Sequence, residues 1–139
     1  MKKKVNFDVC TFRNHKCTFC SNADERTIKY QTSIEEFQKV MKNVMQYVEI
    51  DELGLSAKGE VLINKDFVKI VKSAKSEFKI PYIYISSNGA LMDEKSAIEI
   101  IEAGMDSIKF SINAIDAQSY KLVHQVDDFK RVMENFKTL

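Results

Sequence analysis

The sequence lacks the long apolar run that a membrane anchor or a secretory leader needs. The run Lys2-Lys3-Lys4 is followed at once by VNFDVC, which alternates apolar and polar residues. No later segment approaches the roughly 18–20 apolar residues that cross a bilayer. The sequence also lacks an excess of charge, because 21 Lys and Arg residues stand against 20 Asp and Glu residues, a net charge of +1. So weak a field gives no signal for nucleic acid or for a membrane surface, and a cytoplasmic protein is expected.

Cysteine is absent everywhere except in the segment CTFRNHKCTFC, residues 10–20. The three thiols belong to Cys10, Cys17 and Cys20. An odd and tightly clustered set in a reducing compartment cannot form a complete disulfide framework, so metal ligation or redox chemistry is the better account. Two intervening residues let the thiolates of Cys17 and Cys20 converge on one metal ion or one cluster.

The remaining composition is that of a soluble globular protein, with 45% hydrophobic and 29% charged residues. A chain of 139 residues suffices for a single domain, residues 1–139, with one hydrophobic core. Proline is nearly absent, and Pro81, the single one, follows a helical pattern and is expected to stop it.

Hydrophobic periodicity predicts an alternation of strands and helices. Ser33 and Glu36 form a capping-box pattern at the start of the first helix. The predicted strands are 4–10, 52–57, 82–87 and 107–113, and the predicted helices lie within 32–48, 66–78, 88–104 and 127–136. The order is a strand followed by a helix, four times over.

Such alternation predicts an α/β fold with parallel strands joined by right-handed crossovers. The runs YIYIS and IKFSI are expected to be buried between helical layers. Ligands of parallel α/β proteins bind where the strands end, and the four predicted strand ends carry the cysteine loop, residues 57–60, residues 86–89 and residues 111–113. His124 is expected on the surface, and His15 is expected to contact backbone within the cysteine loop.

The cysteine loop after the first strand, KGE after the second and SSNG after the third together resemble the amino-terminal part of a radical S-adenosylmethionine (radical SAM) enzyme. The resemblance covers residues 4 to about 137. It implies a truncated partial TIM-like barrel, because four βα units fall short of the family's six or so. It also implies a 4Fe-4S cluster, S-adenosylmethionine, and reductive cleavage of that cofactor to a 5′-deoxyadenosyl radical that abstracts hydrogen from a substrate.

The resemblance also assigns roles to individual residues. Cys17 and Cys20 match the last two of the family's three cluster ligands, and Phe19 matches the aromatic residue beside the adenine. Gly59 and Glu60 match the motif that receives the cofactor's amino group, with Val61 where proline is often found. Asn88, Ser111 and Asn113 resemble the family positions that contact the ribose and the carboxylate of the cofactor.

One position departs from the family pattern. The usual spacing places the first cysteine at position 13, which is Arg, and Cys10 stands three residues earlier. Three extended residues span roughly 10 Å, so Cys10 can act as the third ligand only if the loop folds back. Arg13 cannot replace a thiolate, since a guanidinium offers only donors.

The sequence is also compatible with two other interpretations. One is a structural zinc module in which Cys10, His15, Cys17 and Cys20 form a Cys3His site. The other is a non-catalytic remnant that keeps the fold. For the radical SAM reading, an electron donor of flavodoxin or ferredoxin type and an unidentified small-molecule or peptide substrate are expected. The short chain is expected to need a complementing chain or a homodimer for activity.

Overall fold

Four short strands pair into one parallel sheet in the computed structural model, which describes residues 3–20, 28–55 and 58–139. The sheet order follows the chain, β1-β2-β3-β4, and each neighbouring pair is parallel. The strands are β1 (Lys4–Asn6), β2 (Glu52–Gly54), β3 (Tyr82–Ser87) and β4 (Ser107–Phe110). The predicted parallel α/β class is therefore confirmed. Ser56 and Ala57, at the end of the predicted second strand, lie outside the described residues.

Three helices follow the first three strands and cover one face of the sheet: α1 (Ile34–Val44), α2 (Phe67–Ser76) and α3 (Glu94–Glu102). The predicted capping box at α1 is confirmed, because the Ser33 side chain accepts from the Glu36 N–H and the Glu36 carboxylate accepts from the Ser33 N–H. A short 3₁₀ turn, Val61–Ile63, precedes α2.

Two helices follow β4, not the single one that the pattern predicts. They are α4 (Ala117–His124) and α5 (Phe129–Thr138). Local polar bonds begin α4, since Asp116 and Ser119 form a second capping box. Its apolar pattern is short, and its buried residues Tyr120 and His124 both pack against His15, more than 100 residues earlier in the chain, which is why periodicity missed it.

The sheet is covered on one face and open on the other. Leu53, Ile83 and Ile85 are buried beneath the helices. The alternate positions carry polar or partly exposed side chains, among them the ion pair of Lys4 with Glu52. The expectation that the third and fourth strands are buried on both faces is therefore wrong, because β3 alternates between buried and partly exposed residues.

A second, smaller core ties α4 and α5 to the carboxyl end of the sheet. It is formed by Ala90, Tyr120 and Val132, with Phe110 and Phe129 packed against them. The helices that close this end of the molecule are thus anchored beside the edge at which the strands finish. Among the described residues, no helix has the length and apolar character needed to span a membrane.

Candidate cofactor-binding site

A cavity of about 220 Å³ opens at the carboxyl edge of the sheet. Seven of the nine site residues predicted from the sequence line it: Cys17, Phe19, Cys20, Gly59, Glu60, Asn88 and Ser111. The cavity wall also includes Arg13, His15 and His124. Two predicted residues, Cys10 and Asn113, are not part of that wall. The strand ends therefore converge as the rule for parallel sheets requires.

Glu60 lines this cavity and is almost completely buried, with 5% of its surface exposed. One carboxylate oxygen accepts from the Ser87 hydroxyl at 2.8 Å, and the other accepts from the Asn88 backbone N–H at 2.9 Å. Burial raises the pKa of Glu60 above its usual value, while these donors oppose the shift. The carboxylate thus joins the loop after β2 to the end of β3.

Gly59 lets two loops approach at their backbones. A methyl group at this position would collide with the carbonyl oxygen of Cys10 and would lie 2.8 Å from that of Phe12. The same loops are joined by hydrogen bonds, since the Glu60 N–H donates to the Phe12 carbonyl at 2.9 Å and the Lys58 N–H donates to the Asp8 carboxylate at 2.9 Å. The absence of a side chain at Gly59 is therefore a packing requirement.

Arg13 stands at the position where the usual family spacing has its first cysteine, and its side chain forms part of the cavity wall. Its guanidinium donates twice to the Lys58 carbonyl, at 3.1 and 2.8 Å, and once to the Cys20 sulfur at 3.3 Å. A fixed positive charge therefore sits against one of the predicted metal-binding thiols.

Cys10 is buried away from the cavity, with 2% of its surface exposed. Its sulfur accepts from the Phe12 N–H at 3.3 Å, and its backbone forms an antiparallel bridge with Gln31. Burial raises the pKa of the Cys10 thiol. In this arrangement the loop between positions 10 and 17 does not bring the first thiol to the other two.

Cys17 faces a histidine from the far end of the chain. Its sulfur lies 3.2 Å from Nδ1 of His124, while Nε2 of His124 lies 2.6 Å from the Ile112 carbonyl oxygen. A carbonyl only accepts, so Nε2 carries the proton and Nδ1 presents its lone pair to Cys17. The expectation of a surface His124 is therefore wrong, since only 1% of the residue is exposed.

His15 lies beside this pair, with 3% of its side chain exposed. Neither ring nitrogen has a hydrogen-bond partner among the described residues, so the expected backbone contact is wrong. Nε2 is 3.3 Å from a carboxylate oxygen of Asp128 but is not aligned with it as a hydrogen bond. Burial, and then the neighbouring His124, lower the pKa of His15, which favours the neutral ring.

The cysteine loop is held in place by the last turn of α4. The N–H groups of Lys16 and Thr18 donate to the carbonyls of His124 and Val123, at 3.3 and 2.9 Å. These carbonyls belong to the final turn, which has no helical partners of its own. The contact brings His124 to the thiols across 107 residues of sequence. The sequence signal that could have revealed this contact is the Asp116–Ser119 capping box, which marks the start of the unpredicted helix α4.

Comparison with known proteins identifies the family. The profile of the Radical SAM superfamily matches residues 7–139, nearly the whole chain. This chain belongs to the radical SAM superfamily. The family predicted from the cysteine loop and the strand-end motifs is thereby confirmed. A comparison with curated proteins gives no match.

Solved structures of other proteins share the fold of this chain at low sequence identity. Native anSMEcpe with bound AdoMet aligns with a TM-score of 0.76 at 18% identity, over 97% of this chain and 39% of that one. Methylornithine synthase (PylB) gives 0.74 at 20% identity, over 97% and 40%. Streptococcus suis SuiB bound to S-adenosylmethionine gives 0.75 at 18%, over 96% and 30%. The chain therefore spans 30–40% of the length of these three structures.

The donor atoms present do not fit a 4Fe-4S cluster held by three cysteines in this arrangement. Cys17 and Cys20 line the cavity, but Cys10 does not, and the place of the family's first cysteine holds the guanidinium of Arg13. A cation that only donates hydrogen bonds cannot ligate iron. The thiols at positions 17 and 20 offer two ligands, and a third would require residues 10–13 to rearrange.

Proposed function

We propose that the cavity binds S-adenosylmethionine and that this chain supplies the cofactor-binding part of a cytoplasmic radical SAM enzyme. The single observation that carries the proposal is the convergence of seven predicted site residues, from four separate strand ends, on one cavity. The SAM-bound neighbours support the same ligand class. In the family, an iron-sulfur cluster supplies the electron that cleaves the cofactor.

The cavity offers complementary groups to the parts of such a ligand. Phe19 is 60% exposed beside the cavity and presents a ring on which adenine can stack. Glu60 lines the cavity, where its carboxylate would form a charge-assisted contact with an ammonium group. Arg13 uses three of its five N–H donors on protein atoms, which leaves donors for a carboxylate. Asn88 and Ser111 are proposed to contact the ribose and carboxylate.

The finer prediction, that Cys10, Cys17 and Cys20 hold a 4Fe-4S cluster, stays a prediction. It requires the Cys10 sulfur to leave the Phe12 N–H and the segment up to Arg13 to fold back toward the cavity. The proposed contact of Asn113 with the cofactor likewise requires a change, because Asn113 lies outside the cavity wall. Backbone at Asn113 is already left-handed, with φ of 50°, a conformation that Asn tolerates.

The decisive experiment combines cofactor binding with metal analysis. The chain is reconstituted anaerobically with iron and sulfide, iron and sulfide are counted per chain, and the electron paramagnetic resonance spectrum is recorded with and without S-adenosylmethionine. About four irons and a signal that shifts with the cofactor are expected for a functional site. Cys10→Ala is expected to abolish the cluster if Cys10 is the third ligand.

Arg13→Cys is the matched variant, because it restores the family's spacing and removes the cation beside Cys20. We expect Arg13→Cys to assemble a cluster at least as completely as the unmodified chain, and to retain it when Cys10 is also replaced by Ala. If neither protein assembles a cluster or binds S-adenosylmethionine in calorimetry, the proposal is wrong and the chain is a non-catalytic member of the family.

A further inference from the structure

We infer that His15, Cys17 and His124 form a site for a single zinc-type divalent ion. The inference goes beyond the proposed function and does not depend on it. One ligand atom from each residue lies within 4.8 Å of the other two, and this is the one group of three or more potential ligands of this kind found in residues 3–20, 28–55 and 58–139. One sulfur and two imidazoles are a donor set that suits zinc.

The spacing of the donor atoms matches one ion better than a cluster. Zinc binds sulfur at about 2.3 Å and imidazole nitrogen at about 2.0 Å, which in a tetrahedron places the two ligand atoms about 3.6 Å apart. The Cys17 sulfur and His124 Nδ1 lie 3.2 Å apart, so a small outward shift admits the ion. Ligands on different irons of a cluster are further apart, because the metal atoms themselves are separated.

The orientation of His124 is that of a metal-binding imidazole. Such histidines generally donate their second N–H to a carbonyl or carboxylate, which fixes the tautomer and the ring. His124 does so, with Nε2 at 2.6 Å from the Ile112 carbonyl oxygen. Its ring is also stacked on Tyr120, with centroids 4.2 Å apart. The lone pair on Nδ1 is thereby directed at Cys17.

His15 supplies the independent evidence for a ligand. A hydrogen bond from the Cys17 thiol to His124 would explain that pair without any metal. It would leave His15 unexplained, because among the described residues Nδ1 of this buried ring has no hydrogen-bond partner and Nε2 has only the unaligned Asp128 carboxylate, so the lost hydration of the ring is poorly compensated. An ion between the three side chains satisfies one His15 nitrogen. The Asp128 carboxylate, 3.3 Å from Nε2, then stands where a supporting acceptor is usually found.

The site would join the cysteine loop to α4. His15 and Cys17 belong to the loop, and His124 ends α4, whose last-turn carbonyls already accept from the loop. Three protein ligands leave a fourth position of a tetrahedral ion for water or another ligand, and all three residues line the cavity. Because Cys17 cannot serve an ion and a cluster at once, zinc-loaded and cluster-loaded chains would be alternative states.

The test uses the whole chain, stripped of metal and titrated anaerobically with Co²⁺ as an optical probe. We expect one Co²⁺ per chain, tetrahedral absorption bands with a sulfur-to-cobalt charge-transfer band, displacement by Zn²⁺, and a rise in Tm that a chelator reverses. Cys17→Ser is expected to lose the charge-transfer band and His124→Gln the one-to-one binding. Cys10→Ser is the matched control and is expected to keep both. Circular dichroism checks that each variant is folded.

X-ray absorption of the zinc-loaded unmodified chain provides a measurement that needs no variant. Two imidazoles with at least one sulfur in the first coordination shell support the site, whereas a shell without imidazole, or no stoichiometric binding, overturns it. Calorimetry with S-adenosylmethionine on the metal-free and zinc-loaded chain separates the two proposals. Zinc binding without cofactor binding would support this zinc site and contradict the proposed function. Cofactor binding without zinc binding would support the proposed function and contradict the zinc site.

Discussion

Among individual residues, Glu60 joins the loop after β2 to the end of β3 through one buried carboxylate. It accepts from the Ser87 hydroxyl, from the Asn88 N–H and, at 3.3 Å, from the Leu62 N–H. A buried carboxylate is stable only when such donors compensate its lost hydration. The acid at this position therefore has a structural role in holding the ends of β2 and β3 together, besides the cofactor contact proposed for it.

Glu60→Gln tests the electrostatics of this position. The pKa of Glu60 is raised, so between about pH 4.5 and that raised pKa the folded chain binds more protons than the unfolded chain. The contribution of Glu60 to stability is therefore full below pH 4.5 and is lost as the pH rises through the folded pKa, by about 1.4 kcal/mol for each unit of elevation. We expect the free energy of unfolding of the unmodified chain, relative to Glu60→Gln, to fall over this range in urea titrations.

The matched control is Glu102→Gln, an exposed acid at the end of α3. This variant makes the same chemical change at an exposed position and leaves the Glu60 carboxylate in place. Parallel stability curves for the unmodified chain and Glu60→Gln would contradict the elevated pKa.

At the scale of elements, the site depends on two contacts between segments far apart in sequence. The loop after β1 lies directly on Gly59 in the loop after β2. The cysteine loop lies on the last turn of α4 through the N–H groups of Lys16 and Thr18. Neither contact is part of the sheet, and each brings site residues together by backbone hydrogen bonds.

Gly59→Ala is expected to separate the first of these contacts. The added methyl group meets backbone atoms of Cys10 and Phe12, which cannot turn aside as a flexible side chain can. We expect a loss of roughly 1–3 kcal/mol in the free energy of unfolding, as for overpacked cores. Faster alkylation of Cys10 should accompany it, because this thiol is buried beneath the contact.

Alkylation at each cysteine can be followed by peptide mass spectrometry, since cleavage after Arg13 and Lys16 separates Cys10 from Cys17 and Cys20. Lys58→Ala, in the same loop, removes only an exposed side chain and is expected to change neither quantity greatly. Unchanged stability and alkylation in Gly59→Ala would show that the loops can move apart without cost.

The whole molecule is a sheet with one covered and one open face. Polar groups make the open face compatible with water: Lys4 pairs with Glu52 at 2.9 Å, and the Tyr84 hydroxyl donates to Asn6 at 2.8 Å. Strands β1 and β4 are the two edges of the sheet, and no strand among the described residues pairs with their outer sides. Unpaired strand edges of this kind are pairing sites for further strands.

We expect the chain by itself to bind S-adenosylmethionine without catalytic turnover. The chain spans only 30–40% of the three solved structures reported above. An open sheet face does not exclude water from a radical as a closed cavity would. The measurement is 5′-deoxyadenosine formation by the reconstituted chain, alongside its mass in solution by light scattering. A catalytically active monomer would contradict the proposed need for a complementing chain or a second copy.

Local and near-local patterns in the sequence determined the family, the parallel α/β class and most helices. Strand-end motifs such as Gly59-Glu60 and Asn88-Gly89 follow periodic segments, and parallel strands necessarily bring their carboxyl ends to one edge. The Ser33–Glu36 capping box is likewise a contact over three residues. These features depend on backbone geometry that short stretches of sequence specify.

Tertiary structure decided the positions of Cys10, His15 and His124. The Cys10 sulfur accepts a hydrogen bond from the Phe12 N–H instead of reaching the cavity. Packing of the Cys10 and Phe12 carbonyls against Gly59 favours this buried position. The approach of His124 to Cys17 depends on α4, whose short apolar pattern is completed by the packing of Tyr120 against Ala90 and His15. Contacts across more than 100 residues leave no periodic signal, because they arise only when the whole chain has folded.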